Sequence, residues 1–202
     1  MFFGIFLFTH LLYLLGVKDT SWGVHVKAAM KRLRKLATHF HCSSQALAAL
    51  KRLCKAMGVD WRAPVQDVVT RWWSTYLLLA SILHLQRVIE AYGPTLPRDL
   101  QLTKMDWLIC KGAAALLEPF MEVQKMLEGD KYVTGSLCIP MIHDLREGLN
   151  DVCEPEDLLP TNSVEERAAE ATLRETAEAM RKMFNEKFGD GSKIVHYTEV
   201  HR

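Results

Sequence analysis

Between residues 24 and 189, apolar side chains recur at intervals of three and four, the period of helices with one buried face. In 24–41, Val26, Met30, Leu33, Leu36/Ala37 and Phe40 share a face while lysines and arginines take the other, which predicts a first helix. A second, capped by Ser43 or Ser44, carries Leu47, Leu50, Leu53/Cys54 and Met57 as its stripe and ends at Gly58. Residues 58–71, with Gly58, Pro64 and Asp67, read as a connector. A third helix is expected over about 72–92, with Leu78, Ile82, Leu85, Ile89 and Tyr92 on one side, stopped by Gly93-Pro94 and Pro97.

Thr103 with Asp106 makes a capping box for a fourth helix, striped by Met105, Ile109, Ala113, Leu116, Phe120, Val123 and Leu127. Pro119 lies inside it and is expected to kink or split it near Leu116, because proline lacks the amide proton the helix needs. Gly129-Asp130 marks a turn. Ser136 can cap a fifth helix with Met141, Leu145, Leu149 and Val152 inward, provided that Pro140 falls in its first turn. Residues 153–162 read as a loop. Ser163-x-x-Glu166 is a second capping box, opening a helix with Leu173, Ala177, Met180 and Phe184 buried and Gly189 as its stop. The tail KIVHYTEV, 193–200, reads as a short strand or a frayed end. The fold class is therefore mostly α, a bundle-like piece without the alternation of strand and helix that builds a parallel sheet.

Residues 1–17, MFFGIFLFTHLLYLLGV, stand apart as an apolar run broken only by Thr9 and His10. No basic n-region or small-residue cleavage site marks a signal peptide, and the run sits at the short limit for a membrane span. An anchor, a buried segment and a spurious start on a truncated reading frame all remain open. The chain therefore divides into an apolar leader at 1–20, a helical region at 24–190 and a tail at 191–202.

Composition adds two constraints. At 202 residues and 49% apolar content the chain can bury a core, which excludes disorder throughout. Five scattered cysteines (Cys42, Cys54, Cys110, Cys138 and Cys153) with no CxxC pair point to a reducing compartment rather than a disulfide scaffold. The net charge of +1 hides an asymmetry: residues 1–100 hold 13 Lys/Arg against 5 Asp/Glu, the remainder 12 against 19. Positions 20–59 contain no acid, yet carry Lys27, Lys31, Arg32, Arg34, Lys35, Lys51, Arg52 and Lys55. Such a half either faces a polyanion or docks on acidic parts of its own chain.

Candidate chemistry is sparse. His39-x-His41-Cys42 with Cys54 downstream invites a zinc reading, but structural zinc sites show two close ligand pairs and the second is missing. No cysteine sits in a nucleophile elbow, and phosphate-cradling glycine loops are absent. The acids Glu154, Glu156 and Asp157, with Glu165, Glu166 and Glu170, read as a solvated loop and a helix N-terminus rather than a metal site. No catalytic set, metal or cofactor is expected. The distinctive segment is 67–76, Asp-Val-Val-Thr-Arg-Trp-Trp-Ser-Thr-Tyr. Arg71 can pair a phosphate and an exposed indole at Trp72 can stack on an unpaired base. The plainer arrangement buries the indoles and pairs Arg71 with Asp67, and the residues alone favour it, because tryptophan is usually buried.

Asp67-x-x-Thr70-Arg71-Trp72-x-Ser74-Thr75-Tyr76 resembles the D-x-x-TRWNSTY signature of hAT-superfamily (hobo–Activator type) transposases and their domesticated relatives with BED zinc fingers. The basic stretch 33–52 with Phe40, Ser43 or Ser44, and Leu50 is similar to the family's helix before the signature. Leu102-Thr103-x-x-Asp106-Trp107 through Leu117-x-Pro119-Phe120 is similar to the helix after it. Lys131-Tyr132-Val133-Thr134-x-Ser136 through Pro140-x-Ile142 resembles a further family segment. The likeness runs over roughly 24–189, with Trp73 standing where the family usually has Asn.

The resemblance implies the helical insertion of a ribonuclease-H-like transposase core, with most of the core sheet missing. It further implies that the chain starts after the family's two catalytic aspartates and stops before its glutamate. It implies as well that the family's zinc finger and C-terminal dimerisation region are missing. On this resemblance the chain is expected to be a catalytically incomplete, transposase-derived fragment, not an enzyme, of nuclear location, with residual DNA binding. The expected nucleic-acid contacts are Arg71 and Trp72 at an end or unpaired base, and Lys27, Lys31, Arg34, Lys35, Lys51 and Arg52 on phosphates. Two rivals stand beside it: a helical module that pairs with another protein or a second copy, and a membrane-tethered protein held by residues 1–17.

Overall fold

The computed structural model describes residues 24–68, 72–129, 135–153 and 163–188. Seven α-helices account for nearly all of them: α1 (Val24–Cys42), α2 (Ser44–Met57), α3 (Trp72–His84), α4 (Gln86–Tyr92), α5 (Lys104–Gly129), α6 (Gly135–Cys153) and α7 (Val164–Phe188). Two 3₁₀ turns, Gly93–Thr95 and Arg98–Leu100, join α4 to α5, and no strand occurs among the described residues. The apolar leader 1–17, the loop residues 154–162, Gly189 and the tail 193–200 lie outside the described residues. Among those described, no helix is long and apolar enough to cross a membrane.

Local chemistry sets several helix ends. Ser43 takes extended backbone and accepts the Ala46 amide at 3.2 Å, while Gly58 closes α2 in the left-handed region (φ 66°). Val59 N–H then returns to the Cys54 carbonyl at 3.0 Å, so the chain leaves α2 in a fixed direction. Both capping boxes form. Thr103 N–H donates to Asp106 Oδ2 at 2.8 Å and Asp106 N–H to Thr103 Oγ1 at 3.2 Å; Ser163 and Glu166 exchange the matching bonds at 2.9 and 3.2 Å.

The helix α5 is the hub, packed against α1, α3, α6 and α7, with α2 and α4 paired on the outside of α1 and α3. One continuous core runs from Val26 to Phe184, with Phe40, Phe120 and Phe184 fully buried. Each such ring contributes on the order of 1.5–3 kcal/mol by leaving water, which is why the stripes decide the fold.

Three expectations from the sequence need correction. The third helix is interrupted at Leu85, whose N–H is shared between the Ser81 and Ile82 carbonyls at 3.3 and 3.1 Å. The tight turn changes the phase so little that Leu78, Ile82, Leu85 and Ile89 all remain buried, so periodicity does not reveal it. Pro119 does not split α5, which runs on through it. An interior proline costs roughly 3 kcal/mol through the amide proton it lacks and its clash within its own helix; its ring packs towards Gly148 of α6, whose added β-carbon would stand at an ordinary contact distance of 3.6 Å. Pro140 lies at the sixth position of α6, beyond the first turn, and Ser136 is inside the helix rather than its cap.

Gly112 shows why the α5–α7 contact is close. A β-carbon there would overlap the Leu173 side chain, with Leu173 Cγ at 3.0 Å. Alanine gains about 1 kcal/mol of helix propensity over glycine, whereas overpacking costs about 1–3 kcal/mol. We expect Gly112→Ala to lower stability in urea unfolding, by up to about 2 kcal/mol net. Combined with Leu173→Ala it should cost clearly less than the two single changes summed; strict additivity would show that the residues do not touch.

Candidate nucleic-acid interface

The connector between α2 and α3 is irregular, and its backbone polar groups need partners. The helix α3 supplies them from polar side chains. His84 Nε2 donates to the Asp60 carbonyl at 2.7 Å, and Val65 N–H donates to Ser81 Oγ at 3.0 Å while that hydroxyl donates to Leu78 O at 2.9 Å. Val68 N–H donates to Ser74 Oγ at 2.8 Å. The Ser74 hydroxyl proton goes to Asp67 Oδ1 at 2.6 Å, where Thr75 Oγ1 also donates at 3.2 Å.

The Asp67 side chain is 1% exposed, and a carboxylate taken out of water needs charged and hydrogen-bonding partners. Its second oxygen accepts Arg34 Nε of α1 at 2.6 Å, so α1 supplies the countercharge. The signature's Asp, Ser and Thr therefore form a clamp that ties the end of the connector to the first turn of α3 and both to α1. Tyr76 Oη reaches Glu118 of α5 at 3.4 Å, and burial, then Glu118 and Glu122, push its phenol up from the ordinary value.

A second clamp lies two residues earlier on α1. Arg32 places Nε at 3.2 Å and a terminal nitrogen at 2.7 Å from Asp106 Oδ1; the Asp106 side chain is also 1% exposed, and its other oxygen serves the Thr103 cap. Lys104 bridges to Glu166 at 2.9 Å, joining the α5 capping box to that of α7, and this pairing raises the Lys104 pKa.

These pairs sort the basic residues. Arg34 is held by Asp67, and exposed Lys35 lies 3.5 Å from Asp99. Lys27, Lys31, Arg52 and Lys55 are exposed and form no ion pair among the described residues. Lys51 is exposed with its ammonium 5.9 Å from the Trp61 ring centre. Trp61 is half-buried, and no local pattern signals this pairing because the partners lie in different elements. Trp72 is the first residue of α3, its side chain not described, and Arg71 lies outside the described residues.

The remaining candidates for chemistry do not converge. His41 and Cys42 are exposed at the end of α1 and Cys54 is buried in α2; no three His, Cys, Asp or Glu side chains among the described residues are placed to hold a metal. Burial pushes the Cys54 thiol up, and pushes Cys110 up to about 12 against the small opposing effect of Lys111. An open groove of about 270 Å³ between the end of α4 and the start of α5 is floored by Ile89, Leu96 and Trp107. Its rim amide, Gln101, already donates to Leu96 O at 2.9 Å.

Residues 14–112 match the family described as the ZBED1 RNase-like helical domain, a stretch that takes in α1 to α4 and the first part of α5. Over 72 residues the chain is 36% identical to tpeD of Talaromyces stipitatus, a protein whose name assigns it provisionally to transcriptional regulation. That similarity covers 35% of this chain and 8% of the relative, so the chain spans only a small part of that protein's length. No solved structure matches the chain.

Two of these environments can be checked directly. Asp106→Ala removes both a helix cap and the partner of Arg32. Because Arg32 is 38% exposed and keeps water, the loss should be about 2–3 kcal/mol in denaturant unfolding, below that of a fully buried pair. Cys110 binds its proton more tightly in the native chain than in the unfolded one, so the native state holds more protons above about pH 9 and stability falls as pH rises from there towards about 12. Cys110→Ala should flatten that decline, and Cys110 should resist maleimide at pH 8 until the chain is unfolded.

Proposed function

We propose that this chain is the helical part of a transposase-derived protein, regulatory and nuclear, that binds nucleic acid rather than cleaving it. The observation that carries this reading is the set of cations on α1 and α2: Lys27, Lys31, Arg52 and Lys55 remain exposed and outside ion pairs among the described residues, in a stretch from 20 to 59 without one acid. Uncompensated cations on rigid helices are what a phosphate backbone needs. The match to the ZBED1 RNase-like helical domain and the regulatory name of the fungal relative support the same direction. In this reading the family's catalytic acids lie outside the helical region. Arg71 and Trp72 approach an end or unpaired base, and Lys51 adds to the basic face beside Trp61.

Duplex binding followed by fluorescence anisotropy across a salt series tests it. With about four phosphates neutralised, log Kd should change with log salt at a slope of about 3–4 in magnitude. Changing Lys27 and Lys31 together to Gln should lower that magnitude by about 2. Trp72→Ala should weaken single-stranded or hairpin DNA by about 1–3 kcal/mol and leave duplex binding unchanged. Absent or salt-insensitive binding would overturn the proposal, and a stable DNA-free dimer in sedimentation would favour the protein-pairing module instead.

A further inference from the structure

The sequence of α3 is apolar on nearly every side of the helix, yet only the arc of Leu78, Leu79, Ile82 and Leu85 is fully buried. The connector covers one flank, bonded to Ser74, Ser81 and His84; α5 lies on the other, where Tyr76 reaches Glu118. An outer strip stays open between them, with Ala80 half-buried and Leu77 37% exposed. Val68, at the connector edge, is 44% exposed. These two are among only three exposed large apolar side chains in the described residues.

The charges along this strip have an order. The helices α3 and α4 run antiparallel to α5, because Tyr76 meets Glu118 while Ile89 and Trp107 line one groove. Counted from the Tyr76–Glu118 contact at equal rise, Arg87 stands about level with Trp107, and Glu90 with Lys104. The midpoint falls at Ala114 and Ala115. On either side of it Glu118 answers Lys111, then Glu122 answers Arg87, and last Lys125 answers Glu90. All six side chains are exposed, and none forms an ion pair among the described residues; Glu90 accepts a hydrogen bond from Gln86 at 2.8 Å. Turned end for end, the strip therefore meets the opposite charge at every step. A surface complementary to itself fits a copy related by a two-fold axis, an order that a foreign partner does not require. We propose that the outer α3–α5 face is a pairing surface for a second copy of this chain, with α3 antiparallel to α3, Ala80 near the axis and the two Leu77 side chains beside it. From Tyr76 to Arg87 the strip is about 16 Å long. Such a patch is well under the roughly 800 Å² per partner of a stable complex, so the pairing is weak and reversible. The inference does not rest on the nucleic-acid reading, and pairing of this strength does not oppose it.

Charge reversal tests the arrangement. The full chain, without nucleic acid, is followed by sedimentation equilibrium from about 10 to 500 µM, a range suited to an interface of this size. Wild-type chain should be monomeric at the low end and largely paired at the high end in about 50 mM salt, and pairing should weaken several-fold in about 500 mM. One variant carries Arg87→Glu with Lys111→Glu, the other Glu118→Lys with Glu122→Lys. Each alone sets like charges against each other and should stay monomeric throughout. Mixed one to one, they should pair again about as strongly as wild type, because every reversed charge then meets its opposite. Thermal unfolding of each variant keeps loss of pairing apart from loss of fold. Where a reversed variant melts early, Leu77→Ser, which changes no charge, should still lower pairing about tenfold or more at low salt, on the order of one exposed leucine removed from the centre of a contact. Wild-type chain that stays monomeric to 500 µM at low salt overturns the proposal and leaves the face to a different protein. Pairing that survives either reversal or Leu77→Ser places the contact elsewhere and overturns it too. So does a mixture of the two folded variants that fails to pair. A dimer already complete at low micromolar concentration and lost in the reversed variants bears out this face and counts against the nucleic-acid reading instead.

Discussion

Two carboxylates, each 1% exposed, sit at the starts of two helices, and the structure depends on how they are neutralised. Asp67 stands before α3 and Asp106 in the first turn of α5, places where negative charge is welcome to the unsatisfied amides of a helix end. That local preference does not meet the cost of removing a carboxylate from water. Arg32 and Arg34 of α1 complete the arrangement, and because they are two residues apart they reach to opposite flanks of one helix. The helix α1 is thus held between α3 and α5 by charge at its sides and by Leu33, Leu36 and Phe40 along its buried face. Burial brings the three helices together; the two clamps select their register.

The same arrangement explains why basic residues that look alike in sequence have different roles. Arginine suits a buried carboxylate because its planar donors are fixed relative to one another and it is weakly hydrated, and both clamp residues are arginines. The cations left on the exposed surface of α1 are lysines, which hold their charge on flexible stems in water. The N-terminal basicity is therefore partly internal, through Arg32, Arg34 and Lys35, and partly directed outward, through Lys27 and Lys31.

Much of the fold was legible because its signals are local. Ser43, Gly58, the Thr103–Asp106 box and the Ser163–Glu166 box each act within four residues, so reading the chain places those boundaries closely. Apolar stripes identified the core for the same reason. What escaped the reading depends on the neighbour across a gap. Pro119 lies inside an unbroken α5, a helix packed on four neighbours that no local rule anticipates. The break at Leu85 leaves the apolar phase intact, so periodicity is blind to it. The signature segment drew attention through its tryptophans and arginine. Its aspartate and serine, which hold the turn, have partners 33 and 7 positions away. A lone aspartate in a sequence gives no sign of which of several arginines will face it.

The two clamps also constrain the order in which the chain assembles. Arg34 waits for a residue 33 positions later, and Arg32 for one 74 positions later. On the ribosome, α1 has emerged and its apolar face is in water long before the first turn of α5 exists. Its docking is therefore governed by closure of a long loop rather than by helix formation, which is fast. Until then, Val26, Leu33 and Phe40 form an exposed sticky stripe beside a row of cations. That interval, not the finished fold, is when the chain's apolar surface is most open to unwanted association.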